Sequence, residues 1–318
     1  MQLEAKADTE PDLYPSRLKP RAEWLDRRDP VVRGLPGMTP PVSQDQLNAF
    51  SENGFCVLEE VFPEEEVRKL LNEAGAMRVR DGLVPETRIT ERGEAGAGAV
   101  RSVFAPHRQS DVFARLAADS RLADVARFLL GDDVYVHQSR INYKPAFRGK
   151  DFYWHSDFET WHTEDGMPRM RAVSMSVMLT DNHPQSGPTM FIPGSHNKYV
   201  TCVGDTPENH YRESLKKQDY GIPDQESLTR LVQAGGIAAP APKAGSVVIF
   251  DCNTMHGSNS NITPYERINA FLVFNAWSNR LERPFANTRP RPEFVAHRDV
   301  SRPIRPQKSF PAPRSGER

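Results

Sequence analysis

Cysteine, long apolar runs and an excess of charge of either sign are all scarce in this chain, and each shortage closes off a class of function. Three cysteines, Cys56, Cys202 and Cys252, are scattered over 318 residues with no Cys-x-x-Cys pair. That excludes a disulfide framework and a structural zinc site, and it suits a reducing cytoplasm. No stretch approaches the ~18 consecutive apolar residues a bilayer span needs, and Met1 to Lys6 lacks the apolar core of an export signal. A cytoplasmic protein with no membrane partner is the expectation. Lys and Arg number 41 against 42 Asp and Glu, too balanced for the electrostatics that dominate nucleic-acid binding, so no nucleic-acid partner is expected either.

What is present divides the chain in three. Residues 1–41 are proline-rich and charged without a sustained period, and read as an N-terminal arm lying on the body or partly disordered. Residues 42–285 form the body. Ser43 to Gln46 has the form of a capping box, Leu47 and Phe50 lie one turn apart, and Gly54 supplies a left-handed stop, which predicts a short helix followed by a strand from Phe55 to Leu58. Pro63 opens a second helix with acidic residues in its first turn and with Val67, Leu70, Leu71 and Ala74 on one face. Arg92 to Ala99 reads as a flexible loop, and Leu122 to Leu129 before Gly131 as a third helix.

Beyond Gly131 short β-branched and aromatic runs replace the helical period, with strands expected near 134–143, 152–157, 172–180, 189–192, 246–251 and 267–275. The fold class is therefore mainly β with flanking helices, a jelly roll, not a parallel α/β sheet. Residues 196–242 are turn-rich and too long for a simple connection, hence a candidate lid. Residues 286–318 are a Pro/Arg-rich C-terminal tail in which no regular structure is expected.

The densest chemistry lies in Phe152 to Asp165. His155 and Asp157 are spaced i, i+2 on an apparent strand, so both side chains share a face and can share a metal. His256 follows the apolar run that ends at Phe250. Two histidines and a carboxylate make the facial triad of non-haem Fe(II) oxygenases, which leaves three coordination positions open. The spacing alone recurs by chance, and surface or packing histidines remain the plain alternative. A rival pair, His162 and Glu164, sits in turn-like composition, and His196 after Pro193-Gly194 reads as a turn residue, so His155 is favoured. Arg267 stands eleven residues beyond His256. If its strand is the antiparallel neighbour of the one presenting His256, the guanidinium enters the same cavity and can fork onto a carboxylate; a rim ion pair is the alternative. Gln138, Arg140 and Asn142 share one strand face, opposite Tyr135, His137, Ser139 and Ile141, as a ligand-lining row would.

Taken together, Asn53 to Leu58 with Val61 to Pro63, the His-x-Asp pair, Pro193 to His196, and His256 followed by Arg267 resemble the phytanoyl-CoA dioxygenase superfamily. Within it, the block Phe152 to Pro168 running on to Leu179-Thr180 resembles the signature of the bacterial ectoine hydroxylases. Asp12 to Arg17, Asp29 to Val32 and Pro290 to Glu293 resemble the ends of that family, so the likeness covers nearly the whole chain.

The resemblance implies a double-stranded β-helix of cupin-like form and an Fe(II)/2-oxoglutarate-dependent dioxygenase. It would hydroxylate ectoine at C5 to 5-hydroxyectoine, with O2 as cosubstrate and succinate and CO2 as coproducts, in stress protection and as a homodimer. It implies His155, Asp157 and His256 as catalytic iron ligands. Phe152, Ser258, Arg267 and Asn142 would lie around 2-oxoglutarate, and Gln138, Arg140, Thr160, Trp161, Ser174, Phe250 and Phe271 around ectoine. That division suits a small zwitterion whose cyclic amidinium favours aromatic faces and whose carboxylate favours an arginine. Two other readings stay open: a related oxygenase acting on another small amino-acid-like substrate, and a cupin-like binding module without turnover, which would need no arginine for 2-oxoglutarate.

Overall fold

The computed structural model describes residues 11–80, 87–91, 99–207, 209, 211–214 and 220–308. The helix-strand opening follows its local signals. Helix α1 (Gln44–Asn53) starts at a reciprocal capping box between Ser43 and Gln46 and stops at Gly54, whose φ is +81°. A Cβ at Gly54 would also lie 2.5 Å from His196 Nδ1 and Thr254 Oγ1, so glycine is required there twice over. Strand β2 (Phe55–Leu58) and helix α2 (Glu64–Val79) follow, the latter with three glutamates in its first turn.

Seven strands make one antiparallel sheet in the order β2, β10 (Val247–Asp251), β7 (Ala172–Met178), β12 (Arg267–Ala276), β5 (Val134–Lys144), β4 (Ala99–Phe104), β3 (Arg88–Glu91). Facing it are three strands in the order β6 (Phe152–His155), β11 (His256–Ser258), β8 (Thr189–Phe191). Alternation along the strands of the large sheet sorts the side chains. Ile141, Val177, Ile249, Ile268, Leu272 and Phe274 turn outward into a core covered by α1, α2, α4 (Asp111–Ala118) and α5 (Ser120–Leu130). Phe250 and Phe271 turn inward toward the small sheet. This is the jelly-roll arrangement expected above.

Several local expectations are corrected. Helices α3 (Pro106–Gln109) and α4 precede the expected third helix. The register of β5 against β12 shifts where Gln138 pairs with Val273 and Val136 with Phe274, so His137 is an extra residue. The shift reverses the alternation: Val134 and Val136 join the helix-side core with Ile141, and Tyr135 faces inward, not outward with Ile141 as a regular strand would require. The candidate lid contains β9 (Lys198–Val200), paired with β1 (Trp24–Asp26) of the arm, and a helix over Gln225–Gly235. The arm is seated on the body: Tyr14 is fully buried, and Arg27 forks onto Asp251 at 2.7 and 2.8 Å. Among its described residues the C-terminal segment forms no helix or strand but runs along β5, with Val295 and Ala296 fully buried and Ile304 N–H donating to Val134 C=O. Residues 92–98, most of the expected flexible loop, lie outside the described residues.

Candidate metal centre and its cavity

Between the two sheets lies a cavity lined from both, and the triad stands on its small-sheet side. Strand β6 ends at His155, directly opposite His256 of β11. Asp157 is not on the strand, as the i, i+2 reading assumed, but opens a helical turn, α6 (Asp157–Thr160). The chain bends at Ser156, whose hydroxyl donates to Asn253 Oδ1 at 3.0 Å, and Phe158 N–H donates to Cys252 C=O at 2.8 Å. That bend still brings the carboxylate home: Oδ1 lies 3.6 Å from His155 Nε2 and Oδ2 lies 3.8 Å from His256 Nε2.

Tautomers follow from the partners. His155 Nδ1 faces Tyr153 C=O at 2.8 Å and His256 Nδ1 faces Thr254 C=O at 2.9 Å. A carbonyl only accepts, so each Nδ1 carries a proton and each Nε2 turns toward Asp157. Burial, then the neighbouring His155, push the His256 imidazole down to about 4. Burial would raise the Asp157 carboxyl, but His256, His155 and Arg140 outweigh it and hold it below the usual carboxylate range. Two imidazoles with their Nε2 atoms turned to one ionised carboxylate, all buried and with donor atoms within 4.8 Å of one another, are the donor set a divalent metal takes. Among the described residues no other group of His, Cys, Asp and Glu meets that test.

The rest of the cavity is cationic. Across the β5–β12 ladder Lys144 stands opposite Arg267, Asn142 opposite Asn269, Arg140 opposite Phe271 and Gln138 opposite Val273. Two cations directly opposite are unfavourable unless an anion joins them. Lys144 Nζ donates to Ser258 Oγ at 2.9 Å and to Asn259 C=O. Arg267 has no carboxylate partner among the described residues: its Nε is buried without a hydrogen bond, and Nη1 is accepted by the amide oxygen of Asn269 at 2.8 Å. Burial, then Arg101, push it down to about 10, which leaves it protonated at neutral pH. The condition of strand adjacency is not met, because β12 and β11 belong to different sheets; the guanidinium lines the same cavity from the large-sheet side.

Of the other candidates, Gln138, Arg140, Asn142, Phe152, Thr160, Trp161, Ser258 and Phe271 line the cavity, and Ser174 and Phe250 do not. Both stand behind the triad. Ser174 Oγ lies 3.5 Å from Asp157 Oδ2, and the Phe250 ring packs 4.9 Å from the His256 ring. Arg101, Ser102, Phe104, Lys144, Thr189 and Arg291 line the cavity without having been singled out in the sequence. Lys144 was legible, since it continues the Gln138, Arg140, Asn142 alternation by one step. Arg291 was not, because it arrives from the C-terminal segment and is held by buried Asp165. His162 binds elsewhere: its Nδ1 meets Met167 C=O at 2.8 Å and its Nε2 meets Asp12 Oδ1 at 2.9 Å, within the buried one-turn π-helix Trp161–Asp165 and not in a surface turn. His196 is likewise buried, against Ser51 C=O at 3.1 Å, in the short 3₁₀ turn Ser195–Asn197.

A model of the phytanoyl-CoA dioxygenase family matches residues 50–269. The ectoine dioxygenase of Sphingopyxis alaskensis is 58% identical over 288 residues, 90% of this chain and 93% of its own. That of Stutzerimonas stutzeri is 53% identical over 298 residues, 93% of this chain and 98% of its own. Among solved structures, EctD from S. alaskensis with 2-oxoglutarate and 5-hydroxyectoine superimposes with a TM-score of 0.84 at 51% identity, over 94% of this chain and 99% of that one. The same protein with bound Fe gives the same TM-score, identity and coverage.

Proposed function

The chain belongs to the phytanoyl-CoA dioxygenase family, and from that premise we propose that it is an Fe(II)- and 2-oxoglutarate-dependent dioxygenase that converts ectoine to 5-hydroxyectoine. The observation that carries this reading is one cavity holding both the His155/Asp157/His256 donor set and a buried arginine, Arg267, that lacks a carboxylate partner among the described residues. A binding module needs neither together. Fe(II) held by the three donors supplies, with 2-oxoglutarate and O2, the oxidising power that places one oxygen atom in a substrate C–H bond as 2-oxoglutarate becomes succinate and CO2.

The chain's own residues orient the two substrates. Arg267 forks onto the distal carboxylate of 2-oxoglutarate, with Ser258, held by Lys144, beside it and Asn142, fixed by Ser102 Oγ at 2.8 Å, nearby. Phe152 walls the same side opposite Ser258. For ectoine, Trp161 and Phe271 offer faces to the amidinium. Gln138 Nε2 donates to Val295 C=O at 2.7 Å, which leaves Oε1 to accept from the amidinium N–H groups. Arg140 and Arg291 supply cations for the ectoine carboxylate, and Thr160 Oγ1, buried without a partner, supplies a hydroxyl. Ser174 and Phe250 support Asp157 and His256 from behind. A site with both charges built in rejects analogues that lack either, because its buried polar groups would be left unpaired.

The cysteines are all free and buried, which fits the reducing cytoplasm where we place the protein, in stress protection and as a homodimer. The test is direct. Purified protein with Fe(II), 2-oxoglutarate, O2 and ectoine should form a product one oxygen atom heavier, hydroxylated at C5 by NMR, with succinate in step. No product from ectoine, with product from another amino-acid derivative, would leave the family and overturn the substrate.

A further inference from the structure

Behind the cavity wall runs a second buried group of charges, of which the proposed reaction uses only Arg291 directly. Arg17, in the N-terminal arm, forks onto Glu159 with Nε–Oε1 at 2.9 Å and Nη2–Oε2 at 2.7 Å. Its Nη1 donates to Glu164 Oε1 at 2.9 Å and to Thr206 Oγ1 at 2.6 Å. The other oxygen of Glu164 faces Arg291 Nε at 4.0 Å, and Arg291 closes onto Asp165 at 2.7 and 2.5 Å. The signs alternate along Glu159, Arg17, Glu164, Arg291 and Asp165, and every one of these side chains is 7% exposed or less. Ser16 adds a hydroxyl to Glu159 at 2.7 Å.

This row backs the one stretch of chain, α6 and the π-helical turn after it, that carries Asp157, Thr160 and Trp161 into the cavity. Glu159 immediately precedes Thr160, and Glu164 lies one turn beyond Trp161. Gly221, at φ +66°, presses on the same group: a Cβ there would fall 2.6 Å from Glu159 Oε2, 2.7 Å from Arg17 Nη2 and 3.1 Å from Thr160 Oγ1. A π-helical turn is a rarely adopted geometry. Buried ion pairs stabilise little compared with apolar packing of the same volume; what they supply is a specified arrangement.

Resting on the ectoine reading above, we infer that Arg17 is a positioning residue for the substrate half of the cavity. Through Glu159 and Glu164 it sets Thr160 and Trp161, and through the shared Glu164 it sets Arg291, so the arm takes part in substrate recognition.

Arg17→Lys keeps the charge and loses the fork. The expected result is a rise in KM for ectoine on the order of tenfold. Less hydroxyectoine should form per succinate, while KM for 2-oxoglutarate and iron content stay within about twofold. Trp161 emission, isolated by subtraction of a Trp161→Phe background, should shift. The inference is overturned if both KM values rise together, or if the ectoine KM and the Trp161 emission both stay at native values. Should Arg17→Lys fail to fold, Glu159→Gln is read by the same measurements. Should the native protein leave ectoine unchanged, the ectoine reading fails while the Trp161 emission still decides the positioning role, an unshifted emission overturning it.

Discussion

A buried carboxylate facing two imidazoles is tolerated only if positive charge shares the space, and that requirement sets what single residues do here. His155→Ala, Asp157→Ala and His256→Ala should each abolish Fe(II) binding and activity while far-ultraviolet circular dichroism stays native, because the three side chains line a cavity and are not part of the apolar core. His162→Ala should do the reverse. It would keep iron and lose roughly 1–3 kcal/mol of stability, since it strands a buried carbonyl and the Asp12 carboxylate. Denaturant unfolding beside iron analysis separates the two outcomes. Arg267→Lys should raise KM for 2-oxoglutarate by on the order of tenfold or more at unchanged iron content, because an ammonium cannot reproduce the guanidinium fork.

Elements act through their ends and their contact faces. The π-helical turn Trp161–Asp165 stops at Gly166, whose φ is +75° and where a Cβ would fall 2.3 Å from Glu282 C=O. Gly166→Ala therefore combines a left-handed backbone with a clash against main chain, and should cost more than about 2 kcal/mol by denaturant unfolding. Helix α3 gives a pH dependence. His107 meets Ser139 Oγ of β5 at 2.5 Å, and burial, then His297 and Arg108, push its imidazole down from 6.5 to about 3. The native state holds His107 neutral, so as pH falls below about 6.5 the unfolded chain takes up the proton first. The stabilisation is complete above that value and is lost progressively toward pH 3. His107→Asn, which can keep the contact with Ser139, should flatten this part of the stability–pH curve; an unchanged slope would remove His107 as its source.

Across the whole molecule, both the N-terminal arm and the C-terminal segment pack onto the body around the site. Arg27 ties the arm to Asp251, five residues before His256, and also donates to His196 C=O and Met170 C=O, both at 3.3 Å. Arg27→Ala leaves Asp251 charged and buried and should cost about 3 kcal/mol. Its effect belongs to the assembly of arm and body, and it is read from the shift of the unfolding midpoint.

Sequence by itself determined what depends on near neighbours. The capping box at Ser43, the glycine stops at Gly54 and Gly131, the alternation of Gln138, Arg140 and Asn142, and the closeness of His155 to Asp157 are set by backbone geometry over a few residues. The strand-like runs beyond Gly131 and the apolar run before His256 made the jelly roll and the third donor legible; family likeness, carried by the long block Phe152 to Pro168, added the cosubstrate and substrate roles. Tertiary structure alone decided what depends on strand pairing and burial. Which sheet Arg267 belongs to, the register shift at His137 that reverses one face of β5, and the retreat of Ser174 and Phe250 behind the triad are not written in any short window. Nor is the arrival of Arg291 and Arg17 from opposite ends of the chain. Periodicity reports the direction of a side chain relative to its own backbone; the neighbour it meets is fixed only when distant segments compete to bury apolar surface and pair charge in one common interior.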